Sequence, residues 1–261
     1  MDYQTLILSI ENHVATVTLN RPQVCNAFDE TTIAELDAVF QALGKDEALR
    51  VIVLAASGPA FCAGGDLNWM KRMAGFSHEQ NCEDALALAR MLHTIHTCPK
   101  PVLAKVQGDC FGGGVGLTAV CDIAICVEEA GFSLSEAKLG LIPATISPYV
   151  IRAMGEQAAR RYFLTAERFS AREALRIGFL HAVVPADELD AACNGVVKAL
   201  LGNGPHAVKE AKRLVRDVAG REVNEELIVD TARRIADIRS SEEGTEGIKA
   251  FLEKRKPTWL S

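Results

Sequence analysis

Two glycine-containing loops stand out by residue type and spacing as able to do chemistry, and one glutamate between apolar neighbours has an acid/base reading beside a structural one. The first loop is Phe61-Cys62-Ala63-Gly64-Gly65-Asp66-Leu67, and the second is Gly108-Asp109-Cys110-Phe111-Gly112-Gly113-Gly114-Val115-Gly116. Glycine has no Cβ, so backbone N–H groups in such loops can approach a ligand closely. Gly112–Gly114 also leads into a predicted helix, whose first N–H groups are unpaired and favour negative charge. The glutamate is Glu136, within Phe132-Ser133-Leu134-Ser135-Glu136-Ala137-Lys138-Leu139-Gly140. Apolar neighbours would desolvate its carboxylate and raise its pKa toward a range useful for moving protons. Ser133 three residues earlier also fits a capping box, so a structural role at a helix start competes with catalysis. Neither loop is followed by the lysine of a P-loop, and Leu117 stands where a dinucleotide fingerprint counted from Gly112 needs its last glycine. G-x-S-x-G and H-E-x-x-H are absent.

The surrounding pattern predicts the elements that must hold these groups. Thr5–Ile10 and His13–Leu19 are β-rich and separated by Glu11-Asn12, which predicts a hairpin ended by Asn20-Arg21-Pro22. Residues Asp29 to Gly44 predict a helix capped by Asp29, with Ile33, Leu36, Val39, Phe40 and Leu43 on one face. Val51–Ala56 is a short apolar run suited to a buried parallel strand, and the first glycine loop follows it. A helix ending near Cys98, the strand Val102–Gln107, the second glycine loop, a helical Leu117–Val120 and the strand Asp122–Val127 come next. Strand alternating with helix predicts an α/β fold, with ligands at the carboxyl ends of parallel strands. From Glu156 onward the pattern is nearly all helical. The expected organisation is a core of residues 1–190 carrying the site, followed by a docked helical segment of 191–261.

The 261 residues are 49% hydrophobic and 24% charged, enough for a real core without disulfides or metal. The formal charge of -6 argues against nucleic acid as the main partner. Eight cysteines form no C-x-x-C pair, which predicts free, mostly buried thiols in a reducing compartment. Met1-Asp2-Tyr3-Gln4 opens no secretory signal, and no apolar stretch reaches membrane-spanning length. The expectation is a soluble, cytoplasmic protein. His93 and His96 share a predicted helix face but lack a third ligand at metal spacing, so no metal is expected. Lys209, Lys212, Arg213 and Arg216 read as the solvated face of a helix.

Four segments in this order resemble the crotonase (enoyl-CoA hydratase/isomerase) superfamily: Asn20-Arg21-Pro22 through Asn26-Ala27, the two glycine loops, and Gly247 through Pro257. The resemblance implies an α/β spiral of ββα units whose C-terminal helices serve oligomerisation and active-site closure. It implies an acyl-CoA thioester substrate, with coenzyme A part of the substrate and no separate cofactor. The N–H groups of Gly65 and Gly113 would form the oxyanion hole, and Glu136 would be the acid/base. Asn26, Ala27, Ala63, Asp66, Leu67 and Asn68 would bind substrate or coenzyme A. Phe251 and Lys254 would contact its adenine and phosphate end, often from a neighbouring subunit. A homotrimer or hexamer is implied, with no membrane partner.

Two departures from the family pattern bear on the reaction. Well-known hydratases use two glutamates, and Gly116 occupies the position of one of them. A lone glutamate suffices for a double-bond shift, whereas hydration needs it both to activate water and to protonate carbon. The family's Thr-Gln-Arg segment is replaced by Ala144-Thr145-Ile146-Ser147-Pro148-Tyr149-Val150. That run, with Asn68-Trp69-Met70-Lys71-Arg72-Met73, is similar to the branch acting on branched glutaconyl-CoA esters. The expected activity is 3-methylglutaconyl-CoA hydration. Isohexenylglutaconyl-CoA hydratase, an enoyl-CoA isomerase and a non-catalytic acyl-CoA-binding protein are the alternatives. Lys71, Arg72, Lys138 and Arg152 are candidates to pair with a substrate carboxylate, and the sequence does not rank them.

Overall fold

The computed structural model describes residues 3–260. Met1 and Asp2, with that part of the signal-peptide reading, lie outside the described residues, as does Ser261. Strands β1 (Leu6–Glu11) and β2 (Val14–Leu19) form the expected antiparallel hairpin. Its turn residues Asn12 and His13 have φ of 49° and 67°, the left-handed pair that a two-residue turn requires. Helix α1 (Glu30–Lys45) starts where Asp29 accepts the Thr32 N–H, and it buries the apolar face read from sequence.

Three turns of a spiral follow. Strand β3 (Val51–Ala56) leads to β4 (Ala60–Cys62) and helices α2 (Leu67–Met73) and α3 (His78–Thr97). Strand β5 (Val102–Val106) leads to β6 (Asp109–Phe111) and α4 (Gly113–Ala119). Strand β7 (Ile123–Val127) leads to β8 (Gly131–Ser133), a 3-10 turn (Ser135–Leu139) and α5 (Ser147–Thr165). Beyond these come β9 (Phe169–Ser170), α6 (Ala171–Arg176), β10 (Ala182–Val184), α7 (Leu189–Gly202), α8 (Pro205–Val218), α9 (Glu225–Ser240) and α10 (Glu242–Leu252).

The first strand of each turn enters a six-stranded sheet ordered β1-β2-β3-β5-β7-β10, and the second enters a four-stranded sheet ordered β4-β6-β8-β9. Strands β3, β5, β7 and β10 pair in parallel, and β3 is a continuous buried run, as a strand covered on both faces must be. The core lies between these sheets and their helices, with Phe40, Phe61, Leu54, Leu103, Ile95 and Phe132 fully buried.

Several expectations need correction. The glycine loops do not directly follow the long strands, because Ala60–Cys62 and Asp109–Phe111 are strands themselves. Three residues carry no readable alternation, and their pairing is made by tertiary contact. The all-helical reading from Glu156 missed β9 and β10, the latter being the edge strand beside β7. Helix α7 packs on β3, β5 and β7, so the C-terminal helices begin as a layer of the core. Lys212 is not solvated: its ammonium donates to Asp122 Oδ2 at 2.6 Å and to the Lys100 carbonyl at 3.0 Å. All eight cysteines are free, but Cys25 and Cys82 are exposed. Among the described residues, no helix is long and apolar enough to cross a membrane, and no three potential metal ligands gather.

Candidate active site

The small sheet positions the site. Strands β4, β6 and β8 are parallel, so the segments leaving their carboxyl ends, 63–66, 112–113 and 134–136, emerge side by side. A Cβ built on Gly64 would stand 3.6 Å from the Gly113 nitrogen, and one built on Gly112 would stand 3.3 Å from Glu136 Oε1. The structure thus brings the first loop, the second loop and Glu136 together.

The two loop amides are directed by their neighbours. Phe28 N–H donates to the Gly64 carbonyl at 2.9 Å, and Asp66 N–H donates to the Phe28 carbonyl at 3.0 Å. This parallel bridge uses the residues on either side of Gly65, which turns the Gly65 N–H away from Phe28. Gly113 is the first residue of α4 and has no acceptor one turn earlier. Gly112 reaches this helix start with φ 49° and ψ −118°, a conformation strained for a residue with a side chain. The Phe28 ring packs on Gly113, where a Cβ would lie 2.1 Å from Cζ.

Asn26 and Asp66 serve the loops through their side chains. Asn26 is buried, donating to the Ser57 and Ala60 carbonyls at 2.7 and 2.8 Å and accepting from the Arg21 N–H at 2.8 Å. Asp66 is also buried and caps α2 by accepting from Asn68 and Trp69 N–H at 2.7 and 3.3 Å. Burial alone would raise its pKa, but those two amides and the Arg21 guanidinium at 2.9 Å outweigh it and the net shift is downward. Arg21 also reaches Asp29 at 3.2 Å and the Ala27 carbonyl at 2.5 Å. Sequence reasoning missed this arginine as the tie between the early turn and the first glycine loop. Its signal was a basic residue ahead of two helix-capping aspartates. Ala63 N–H donates to the Cys25 carbonyl at 2.9 Å, while Leu67 and Asn68 are exposed on the first turn of α2.

Glu136 sits on the 3-10 turn with no capping box. Ser133 is in β8 and its hydroxyl donates to the Ala166 carbonyl at 3.2 Å. Burial pushes the Glu136 pKa up, and its Oε2 is buried without a hydrogen-bond partner among the described residues. In a 3-10 turn, side chains three apart eclipse, so Leu139, 60% exposed, shares the face of Glu136 and gives it an apolar flank. A carboxylate held this way can take or give a proton beside a carbonyl whose oxygen lies at the two loop amides.

Comparison with known proteins shows the family. Residues 9–261 match the family model described as enoyl-CoA hydratase/isomerase. The chain belongs to that family. It is 46% identical to an enoyl-CoA hydratase from Shewanella pealeana, with a TM-score of 0.95 over 98% of this chain and 96% of that one. Pseudomonas aeruginosa AtuE is 37% identical, with a TM-score of 0.95 over 99% and 100% of the two chains. The mevalonyl-coenzyme A hydratase sidH of Aspergillus fumigatus is 33% identical over 95% of this chain and 91% of that protein. This protein is therefore an enzyme of the enoyl-CoA hydratase type within the crotonase superfamily, acting on acyl-CoA thioesters.

Membership in this family makes the remaining placements informative. Phe251 is 82% exposed and Lys254 is exposed, both at the end of α10, which packs on α8 and α9. They face away from their own chain. Arg72 is held by both Glu30 oxygens at 2.6 Å. Arg152 lies near His96 and Tyr149, beside the amino ends of β5 and β7 rather than their carboxyl ends. Lys71 and Lys138 are exposed and have no ion-pair partner among the described residues.

Proposed function

We propose that this enzyme hydrates a short, branched enoyl-CoA bearing a free carboxylate, with 3-methylglutaconyl-CoA the best candidate. The observation that carries the reading is the Glu136 carboxylate, with its buried and unpartnered Oε2, against the loop that delivers the Gly113 amide. The thioester oxygen sits at the Gly65 and Gly113 amides. Water adds to carbon 3, negative charge moves to that oxygen as an enolate, and the two fixed donors stabilise it more than the neutral carbonyl. Glu136 takes the proton from water and returns it to carbon 2.

Substrate class is supported by likeness and by charge. The mevalonyl group handled by the Aspergillus relative carries a methyl branch at carbon 3, as 3-methylglutaconyl does. Lys71 lies one turn along α2 from Leu67, on the exposed side of the helix that follows Gly65. We assign it to the substrate carboxylate. Arg72 is held by Glu30, and Arg152 lies near His96 and Tyr149 rather than on the helix that follows Gly65. Lys138 does not share the Glu136 face of the 3-10 turn. Phe251 and Lys254 grip the adenine and phosphate end of coenzyme A across a trimer or hexamer contact.

A second reading, double-bond isomerisation, is favoured by the lone carboxylate. Incubation with 3-methylglutaconyl-, isohexenylglutaconyl-, crotonyl- and 3-hexenoyl-CoA, with products weighed, separates the two. Hydration adds one water; isomerisation leaves the mass unchanged. Turnover of 3-hexenoyl-CoA alone would overturn hydration, and indifference of Lys71→Met between glutaconyl and crotonyl substrates would remove the carboxylate assignment.

A further inference from the structure

A second polar cluster lies at the other end of the strands. His96, near the end of α3, faces Tyr149 on α5 with ring centroids 5.1 Å apart. The His96 Nε2 is buried with no hydrogen-bond partner among the described residues, and Tyr149 beside it is half-buried. Arg152 is one turn along α5 from Tyr149, and Arg216 is one turn along α8 from Lys212. Opposing them is Asp122, which accepts from Lys212 and from the Val102 N–H at 2.7 Å and so is already occupied.

We propose that His96, Tyr149 and Arg152, with Lys212 and Arg216 behind them, bind a small oxyanion. One buried donor without a partner, His96 Nε2, lies beside the half-buried Tyr149, and Lys212, Arg152 and Arg216 outnumber Asp122 and Asp217, the latter 3.8 Å from Arg216. An anion supplies an acceptor for Nε2–H and for the phenol, and a counter-charge for Arg152, which has no ion-pair partner among the described residues. Burial first, then the charges of Lys212, Arg152 and Arg216 against that of Asp122, lower the His96 pKa and keep the ring neutral at pH 7. A neutral ring can present Nε2–H to an anion. The site is separate from the thioester loops. Helix α4 runs from Gly113 to the residues just before Asp122, about 10 Å at 1.5 Å per residue.

The test uses the intact protein at pH 7, titrated with inorganic phosphate or acetate against chloride at equal ionic strength. The His96 ring proton resonance is followed, identified by its loss in His96→Leu. The expected result is a saturable shift with either anion, weakened about tenfold in Arg152→Met, where a charged hydrogen bond is lost. Phosphate alone saturating identifies a tetrahedral oxyanion, and acetate alone a carboxylate. Saturation by neither, or equal saturation in Arg152→Met, overturns the site. Thermal unfolding gives a second readout, since phosphate should raise Tm in the parent more than in Arg152→Met, whose exposed side chain leaves folding intact.

Discussion

Gly116 and Ile146 occupy one space. A Cβ at position 116 would stand 2.2 Å from Ile146 Cγ2, inside van der Waals contact, and Ile146 is buried where α5 begins. The replaced segment at 144–150 and the missing glutamate are thus one structural change, because the isoleucine fills the room that a side chain on α4 would need.

Gly116→Glu should therefore fail to restore a two-carboxylate site. Overpacking plus an unpaired buried charge should cost about 3 kcal/mol or more. Gly116→Ala should cost about 1–3 kcal/mol, and Ile146→Gly should relieve most of that in the double variant. Denaturant melts of the three proteins check this, and additive losses would refute the shared space.

Glu136→Gln removes the proposed proton carrier and keeps the shape. The turnover number should fall about 100- to 10,000-fold, with product-coenzyme A binding within about twofold of the parent. Steady-state kinetics and calorimetric titration measure the two separately.

The raised Glu136 pKa fixes two pH dependences with known sign. As the base, Glu136 must be ionised, so kcat/KM should rise with pH through a pKa above the ordinary glutamate value of about 4.3. For stability the sign is opposite. A group whose folded pKa exceeds its unfolded pKa favours folding below the unfolded value, and this contribution is lost as pH rises through the folded one. Glu136→Gln should then raise Tm at pH 8 more than at pH 4. Equal changes at both pH values would contradict the buried, unpartnered carboxylate.

Arg21→Met should be more harmful than a surface change. It leaves Asp66 buried without its cation and frees the Ala27 carbonyl, a loss of about 2–3 kcal/mol. Because the Asp66 pKa is depressed, its contribution is present above the unfolded pKa and disappears as pH falls through the folded one. Urea melts at pH 7 and pH 3 should show the Arg21→Met deficit shrinking in acid.

What could be read without coordinates divides by range. The α1 face, the Asp29 cap, the hairpin and the buried β3 run are local patterns, and each is present. Glu136 and the glycine pairs were given roles through the resemblance of their segments to the family, since residue type alone left a helix cap and tight turns as competing readings. The three-residue strands β4, β6 and β8 were invisible, since their partners lie roughly 20 to 50 residues away in sequence. The Arg21–Asp66 tie, the Phe28 ring under Gly113 and the Ile146 plug failed to show for the same reason. Each is a contact between distant segments whose residues look ordinary alone. Lys212 was misjudged because a helical wheel says which face is polar and not whether another strand supplies a carboxylate.

In the proposed mechanism the Gly65 and Gly113 donors belong to the main chain, whereas the proton carrier is one side chain on a separate turn of the spiral. Heredity treats these two parts differently. Only proline lacks the amide hydrogen, and no single-nucleotide change turns a glycine codon into a proline codon, while one suffices to replace the carboxylate at 136. A lineage built on this scaffold can exchange one reaction for another and still inherit its grip on the thioester.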